Sequence, residues 1–134
     1  MARAALALIS PLLLLGCSSD LSGDWYGNCA FSDASYGYSG ALAISVANGR
    51  GQRLDGALTL DMFNDRSFAG DMTGLRSDSY VEMEATVTGG EAATYFFDLT
   101  GELQDDGSLE GTCVFSETEQ GGAGLTGEVV LEQP

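Results

Sequence analysis

Three cysteines, Cys17, Cys29 and Cys113, carry the most pointed chemistry in this 134-residue chain. A thiol can act as a nucleophile, ligate a soft metal or pair into a disulfide. The nucleophile needs a neighbouring base or cation to form thiolate, and the chain has neither His nor Lys. The same absence removes the ordinary hydrolase triad and the Schiff base. There is no phosphate loop and no zinc-type ligand spacing. Paired carboxylates can cleave glycosides, but with twenty Asp and Glu some pair always looks suitable, so the signal has no specificity. Two acidic groups suggest calcium: Asp105, Asp106 and Glu110, and Asn64, Asp65 and Asp71. Neither has EF-hand spacing, and ordinary turn chemistry accounts for both. The reading is a non-enzyme with no cofactor and no metal.

The odd cysteine count resolves if Cys17 is a processing signal. Arg3 supplies a positive start, and Ala4 to Leu15 is almost wholly apolar. That run is too short to span a bilayer and has the length of a signal-peptide core. It ends in Leu14-Leu15-Gly16-Cys17, which resembles a bacterial lipobox, with Leu15 where a small residue is usual. The resemblance implies a diacylglyceryl group on the Cys17 sulfur, cleavage before Cys17, and fatty acylation (palmitate, for example) of the new amino group. The alternative is an ordinary secretory signal with a cysteine near its end. The implied organisation is a lipoprotein signal peptide over 1–16, an acylated anchor and short tether over 17–22, and one domain over 23–134. Several acyl chains on one residue give stable membrane attachment. Ser18 stands where the enterobacterial sorting rule places an inner-membrane Asp, so the expected location is the cell envelope, the outer membrane before the inner.

Cys29 and Cys113 then form an even pair. The exported side of a bacterial inner membrane is oxidising, so they are expected to join in a disulfide. The bridge closes a loop of more than eighty residues, which in the chain-entropy model stabilises by roughly 4–5 kcal/mol.

The part after residue 16 is strongly acidic. Four arginines, Arg50, Arg53, Arg66 and Arg76, face twenty Asp and Glu, a net charge of −16. Nucleic-acid phosphates would be repelled, as would anionic lipid headgroups. A solvated acidic surface keeps an exported protein soluble; a cationic partner or calcium is the more specific reading.

The elements that must position these residues are written in a repeat: apolar, any, Gly, any, apolar. It occurs as LSGDW (21–25), YSGAL (38–42), LDGAL (54–58), FAGDM (68–72), LTGEL (99–103), LEGTC (109–113) and LTGEV (125–129), with MEATV (83–87) as an Ala variant. The spacing, mostly near fifteen residues, is one strand plus one turn. Alternation assigns faces: Leu54, Leu58, Leu60 and Met62 point one way, Asp55, Thr59 and Asp61 the other. Val81, Met83 and Val87, then Tyr95, Phe97, Leu99 and Leu103, then Leu125, Val129 and Leu131 repeat this. Period two with one polar face means antiparallel strands on one core. The repeated Gly falls on the inward face, where it permits a bend or a close approach. Turn chemistry lies between strands, including Asp105-Asp106-Gly107 with Gly107 expected in the left-handed region. The predicted fold is all-β: an antiparallel eight-stranded up-and-down β-barrel with one disulfide, or alternatively a two-sheet β-sandwich. In a simple barrel strand 8 separates the two cysteine strands. Two strand spacings approach 10 Å, while a disulfide tolerates about 7 Å between Cα atoms. Either the barrel is flattened there or strand 8 is displaced; Gly127 beside Cys113 leaves room for a bridge.

"LSGDWYG" at 21–27 resembles the first strand of small calyx barrels: lipocalins, avidins and secreted metalloprotease-inhibitor barrels. The matching residues are Gly23 and Trp25. This chain has one tryptophan where the avidin pocket uses several, and its cysteine spacing differs from the inhibitor family's. The resemblance implies barrel topology and no ligand contact, with Trp25 a core plug at the barrel end.

Two recognition candidates remain. Loop 32–40 carries Tyr36 and Tyr38 among Ser and Gly, a composition typical of adaptable binding loops. Outward Tyr26, Phe63, Tyr80 and Phe96 make a contact patch if they cluster. The leading functional reading is a membrane-tethered, non-catalytic barrel with an envelope structural or protein-binding role. A lipocalin-like small-molecule carrier and a periplasmic enzyme inhibitor are the alternatives. Side chains enough to fill a small barrel favour the first; the inward glycines favour a carrier.

Overall fold

The computed structural model describes residues 20–32, 37–62, 66–89, 94–116 and 124–134. Among these, all regular structure is β: β1 Gly23–Ser32, β2 Gly37–Asn48, β3 Arg53–Met62, β4 Ser67–Ser77, β5 Tyr80–Thr88, β6 Thr94–Leu103, β7 Leu109–Ser116 and β8 Leu125–Glu132. Each strand pairs antiparallel with the next, and β8 pairs with β1, so the sheet closes into a barrel. Closure decides against the sandwich and leaves no edge strand.

The alternation read from the sequence is the inside–outside division. Leu54, Leu58, Leu60 and Met62 are buried while Asp55, Thr59 and Asp61 are exposed. Trp25, Cys29 and Phe31 face inward from β1, and Leu109, Cys113 and Phe115 from β7. Every strand contributes to one core, with Phe68, Phe97, Ile44, Met72 and Leu131 among its fully buried side chains. Burying each large apolar side chain contributes about 1.5–3 kcal/mol.

The inward glycines mark close approach of strands. A Cβ at Gly56 would overlap the Ser45 carbonyl oxygen on β2, and one at Gly127 would overlap the Ala30 carbonyl oxygen on β1. Their φ angles are ordinary; among described glycines only Gly23 (φ 116°) and Gly107 (φ 90°) are positive. Gly107 thus takes the left-handed turn position expected of it, and Asp106 caps that turn by accepting from the Ser108 N–H at 2.9 Å and hydroxyl at 2.7 Å.

The cysteine question resolves without displacing a strand. Cys29 pairs in register with Val129, and Cys113 with Gly127, so β8 runs between them. Their Cα atoms are nonetheless 6.3 Å apart and the disulfide joins them across β8.

An up-and-down barrel has two unlike ends. At one end lie residue 20, the 49–52 and 104–108 turns, the tight turn at Asp78 and Ser79, and the last residues of the chain. At the other, the strands lead into segments 33–36, 63–65, 90–93 and 117–123, outside the described residues.

Candidate binding surfaces

The first end is stitched shut. Leu21 is buried beneath it, and its N–H donates to the Gly49 carbonyl at 3.0 Å. Trp25 donates its indole N–H to the Leu21 carbonyl at 2.9 Å, inside the core. This is the plug expected of Trp25, and it ties the segment before β1 to the barrel. Arg76, only 9% exposed, enters the same end from β4. Its Nη1 donates to the Gly49 carbonyl and its Nε to the Asp78 carbonyl, each at 3.2 Å. Arg50 pairs with Asp20 at 3.2 Å on the exposed rim. Hydrogen bonds from Ser22, then from Arg50, hold the Asp20 carboxyl below its ordinary pKa.

The opposite end carries an aromatic cluster. Phe68 meets Tyr95 edge-on at 5.1 Å and Phe115 at 4.9 Å, Tyr95 stacks on Phe115 at 5.0 Å, and Phe31 lies 6.5 Å from Phe115. Arg66 covers it, its guanidinium 5.1 Å from the Phe68 ring centre and 5.8 Å from that of Tyr95. Arg66 also donates to the Tyr95 hydroxyl at 3.3 Å. A cation held on aromatic faces is stabilised by the ring quadrupoles.

A third surface lies on the outer wall. Asp71, Thr73, Glu84, Thr86, Phe96 and Asp98 line a groove of about 330 Å³. It spans the outward faces of β4, β5 and β6, which supply Asp71 and Thr73, Glu84 and Thr86, and Phe96 and Asp98 in turn. Partial burial, reinforced by the Glu84 charge, raises the Asp98 carboxyl above its ordinary pKa.

The sequence candidates are distributed differently from expectation. Tyr36 lies outside the described residues, as do Phe63, Asn64 and Asp65. Tyr38 falls within β2, opposite Phe31, so the expected 32–40 loop is shorter: Ser32 and Gly37 already pair. Tyr26 on β1 and Tyr80 on β5 are exposed on opposite walls of the barrel, and Phe96 is half-buried in the acidic groove. They do not form one patch. Among the described residues no three acidic or thiol groups are arranged to hold a metal ion, and Asp106 is occupied with its turn. Sequence reasoning missed Arg76, although its parity with Phe68 and Met72 marks it as inward. It also missed the seat of Arg66, which needs Phe68 and Tyr95 from two different strands.

No protein-family model matches the chain, and a search of curated proteins gave no match. Among solved structures, that of EF1p2_mFAP2b bound to DFHBI is similar, with a TM-score of 0.66 at 9% sequence identity. The likeness covers 85% of this chain and 94% of that one. At that identity it establishes the fold alone: this chain shares the small closed barrel of that protein.

Proposed function

We propose that the chain is an exported lipoprotein, acylated at Cys17, whose barrel serves the cell envelope as a non-catalytic scaffold for binding a protein partner. The observation that supports the scaffold reading is the buried core of Leu, Met, Phe and Val side chains contributed by every strand of the barrel. A barrel of this size is either plugged by its own side chains or holds one small ligand. The anchor reading rests on the lipobox-like residues Leu14 to Cys17. Two residues, Ser18 and Ser19, separate Cys17 from Asp20, a reach of about 10 Å over three residue steps. The lipid therefore stands the barrel on its stitched end and turns the Arg66–aromatic end away from the bilayer. Ser18 directs it to the outer membrane under the sorting rule.

A small-molecule carrier is the second reading, favoured by the similarity to a barrel bound to DFHBI. Two measurements test the pair. A fatty-acid probe should label the wild type and not Cys17→Ser, and only the wild type should fractionate with membranes; equal labelling of both ends the anchor reading. Native mass spectrometry of the purified protein should show the chain, its acyl groups and no further small-molecule adduct. A stoichiometric adduct replaces the scaffold with a carrier.

A further inference from the structure

Three of the four arginines after residue 16 gather at the stitched end, a segregation the net charge hides. Arg50 and Arg53 come from the β2–β3 turn region. Arg76 is brought beside them by pairing of β3 with β4, its N–H donating to the Gln52 carbonyl at 2.8 Å. Arg50, Gly51, Gln52, Arg76, Ser77 and Asp78 line a groove of about 260 Å³. That volume admits a phosphate group with part of what it is esterified to. The lining residues include two arginines, Gln52 and Ser77. Arginine's planar fork of donors matches phosphate oxygens in pairs.

We propose that the Arg50–Arg76 groove binds a phosphate group, either in a lipid headgroup or in a free phosphate ester. The Arg76 backbone and guanidinium hydrogen bonds fix that cationic side chain in place before any ligand arrives. Arg50, its side chain 84% exposed, pairs with Asp20, the one carboxylate within ion-pair distance among the described residues. An exposed pair of this kind contributes about 0–1 kcal/mol, so a phosphate displaces Asp20 at little cost. Asp78, which also lines the groove, opposes an anion, and so does the acidic surface beyond. At physiological salt charges further than about 8 Å are largely screened, so the two arginines are opposed at close range by Asp78 and Asp20 rather than by the whole acidic surface. The headgroup source rests on the anchor reading: Cys17 lies three residues before Asp20, and a bilayer held there brings phosphates to this end of the barrel.

The test uses a soluble form of residues 18–134, which lacks Cys17, so its failure and failure of the anchor reading are separate results. Inorganic phosphate is titrated against chloride at matched ionic strength, with amide and guanidinium NMR signals as readout. The expected result is saturable shifts confined to residues 50–52 and 76–78. Arg50→Gln should weaken binding about ten-fold. Arg53→Gln removes the same charge outside the groove lining and should change it less than about two-fold. No shift, or shifts scattered over the surface, or equal loss in both variants, overturns the proposal. Co-sedimentation with vesicles of phosphatidylcholine, with and without phosphatidic acid, identifies the source. Arg50-dependent sedimentation with the phosphatidic acid vesicles assigns the groove to headgroups; groove binding of phosphate without sedimentation assigns it to free esters.

Discussion

Cys29 and Cys113 are bonded across an intervening strand, 6.3 Å apart at Cα, over the one residue of that strand without a side chain to obstruct them, Gly127. Gly127 pairs with Cys113 on one side and Phe31 on the other. A Cβ there would lie 2.8 Å from the Phe31 Cα. The barrel wall is therefore drawn in at β8, and the two-strand gap contracts from about 10 Å to disulfide range.

Gly127→Val and Gly56→Val should each destabilise the fold. Overpacking a tight core position costs about 1–3 kcal/mol, and the obstructing atoms here are neighbouring backbone. The exposed Thr59→Val and Thr126→Val should stay within about 0.5 kcal/mol. Urea midpoints of the four variants, disulfides intact, check this; wild-type midpoints for both glycine variants contradict the close-approach argument.

Free-thiol titration of the 18–134 form without reductant should find none. Replacing both Cys29 and Cys113 by Ala should lower stability by about 2–5 kcal/mol. Two reactive thiols in the native protein are incompatible with the bridge.

Asp98→Asn should stabilise the protein at neutral pH. The folded state raises the Asp98 pKa, by desolvation first and the Glu84 charge second. Ionisation is thus harder in the folded state than in the unfolded one, and the charged carboxylate weakens the fold above its folded pKa. As pH falls through that pKa the folded state takes up the proton first and the penalty disappears. The advantage of Asn should accordingly shrink between neutral pH and the acidic carboxylate range, read as the difference in thermal midpoint. A pH-independent difference would assign the effect to packing.

Trp25 is the chain's single tryptophan and buried. Its emission should be blue-shifted in the native state and move red on unfolding. Trp25→Phe keeps an aromatic plug but leaves the Leu21 carbonyl without its indole partner. The expected cost is about 1–3 kcal/mol, measured in urea by circular dichroism; an unchanged midpoint would remove Leu21 from the cooperative unit.

Much of the fold was legible because a barrel strand is a local object. Period-two alternation placed Leu58, Met83, Phe97 and Val129 inside without knowledge of their neighbours. The repeated glycine was legible as a bend or close approach, though which of these it was depended on the facing strand: Ser45 for Gly56 and Ala30 for Gly127. The surfaces were far less legible, since each is assembled from strands distant in sequence. The Arg50–Arg76 groove needs the β3–β4 pairing, and the Asp71–Glu84–Asp98 groove draws its lining from β4, β5 and β6. Whether the outward aromatics cluster was not legible for the same reason: outward parity says nothing about which wall a residue occupies, and Tyr26 and Tyr80 stand on opposite ones.

The two ends of the described barrel nearly meet. Gln133 donates its side-chain amide to the Ser22 carbonyl at 3.0 Å, and β8 lies beside β1. The described barrel is in effect a ring cut once. A short linker from Pro134 to Asp20 would close it, and new ends opened between β4 and β5 would emerge on the same rim. Where the cut falls is thus separable from how the wall is built: a circular permutant would keep every neighbouring pair of strands, and a lipid attached to either end would hold the barrel the same way up.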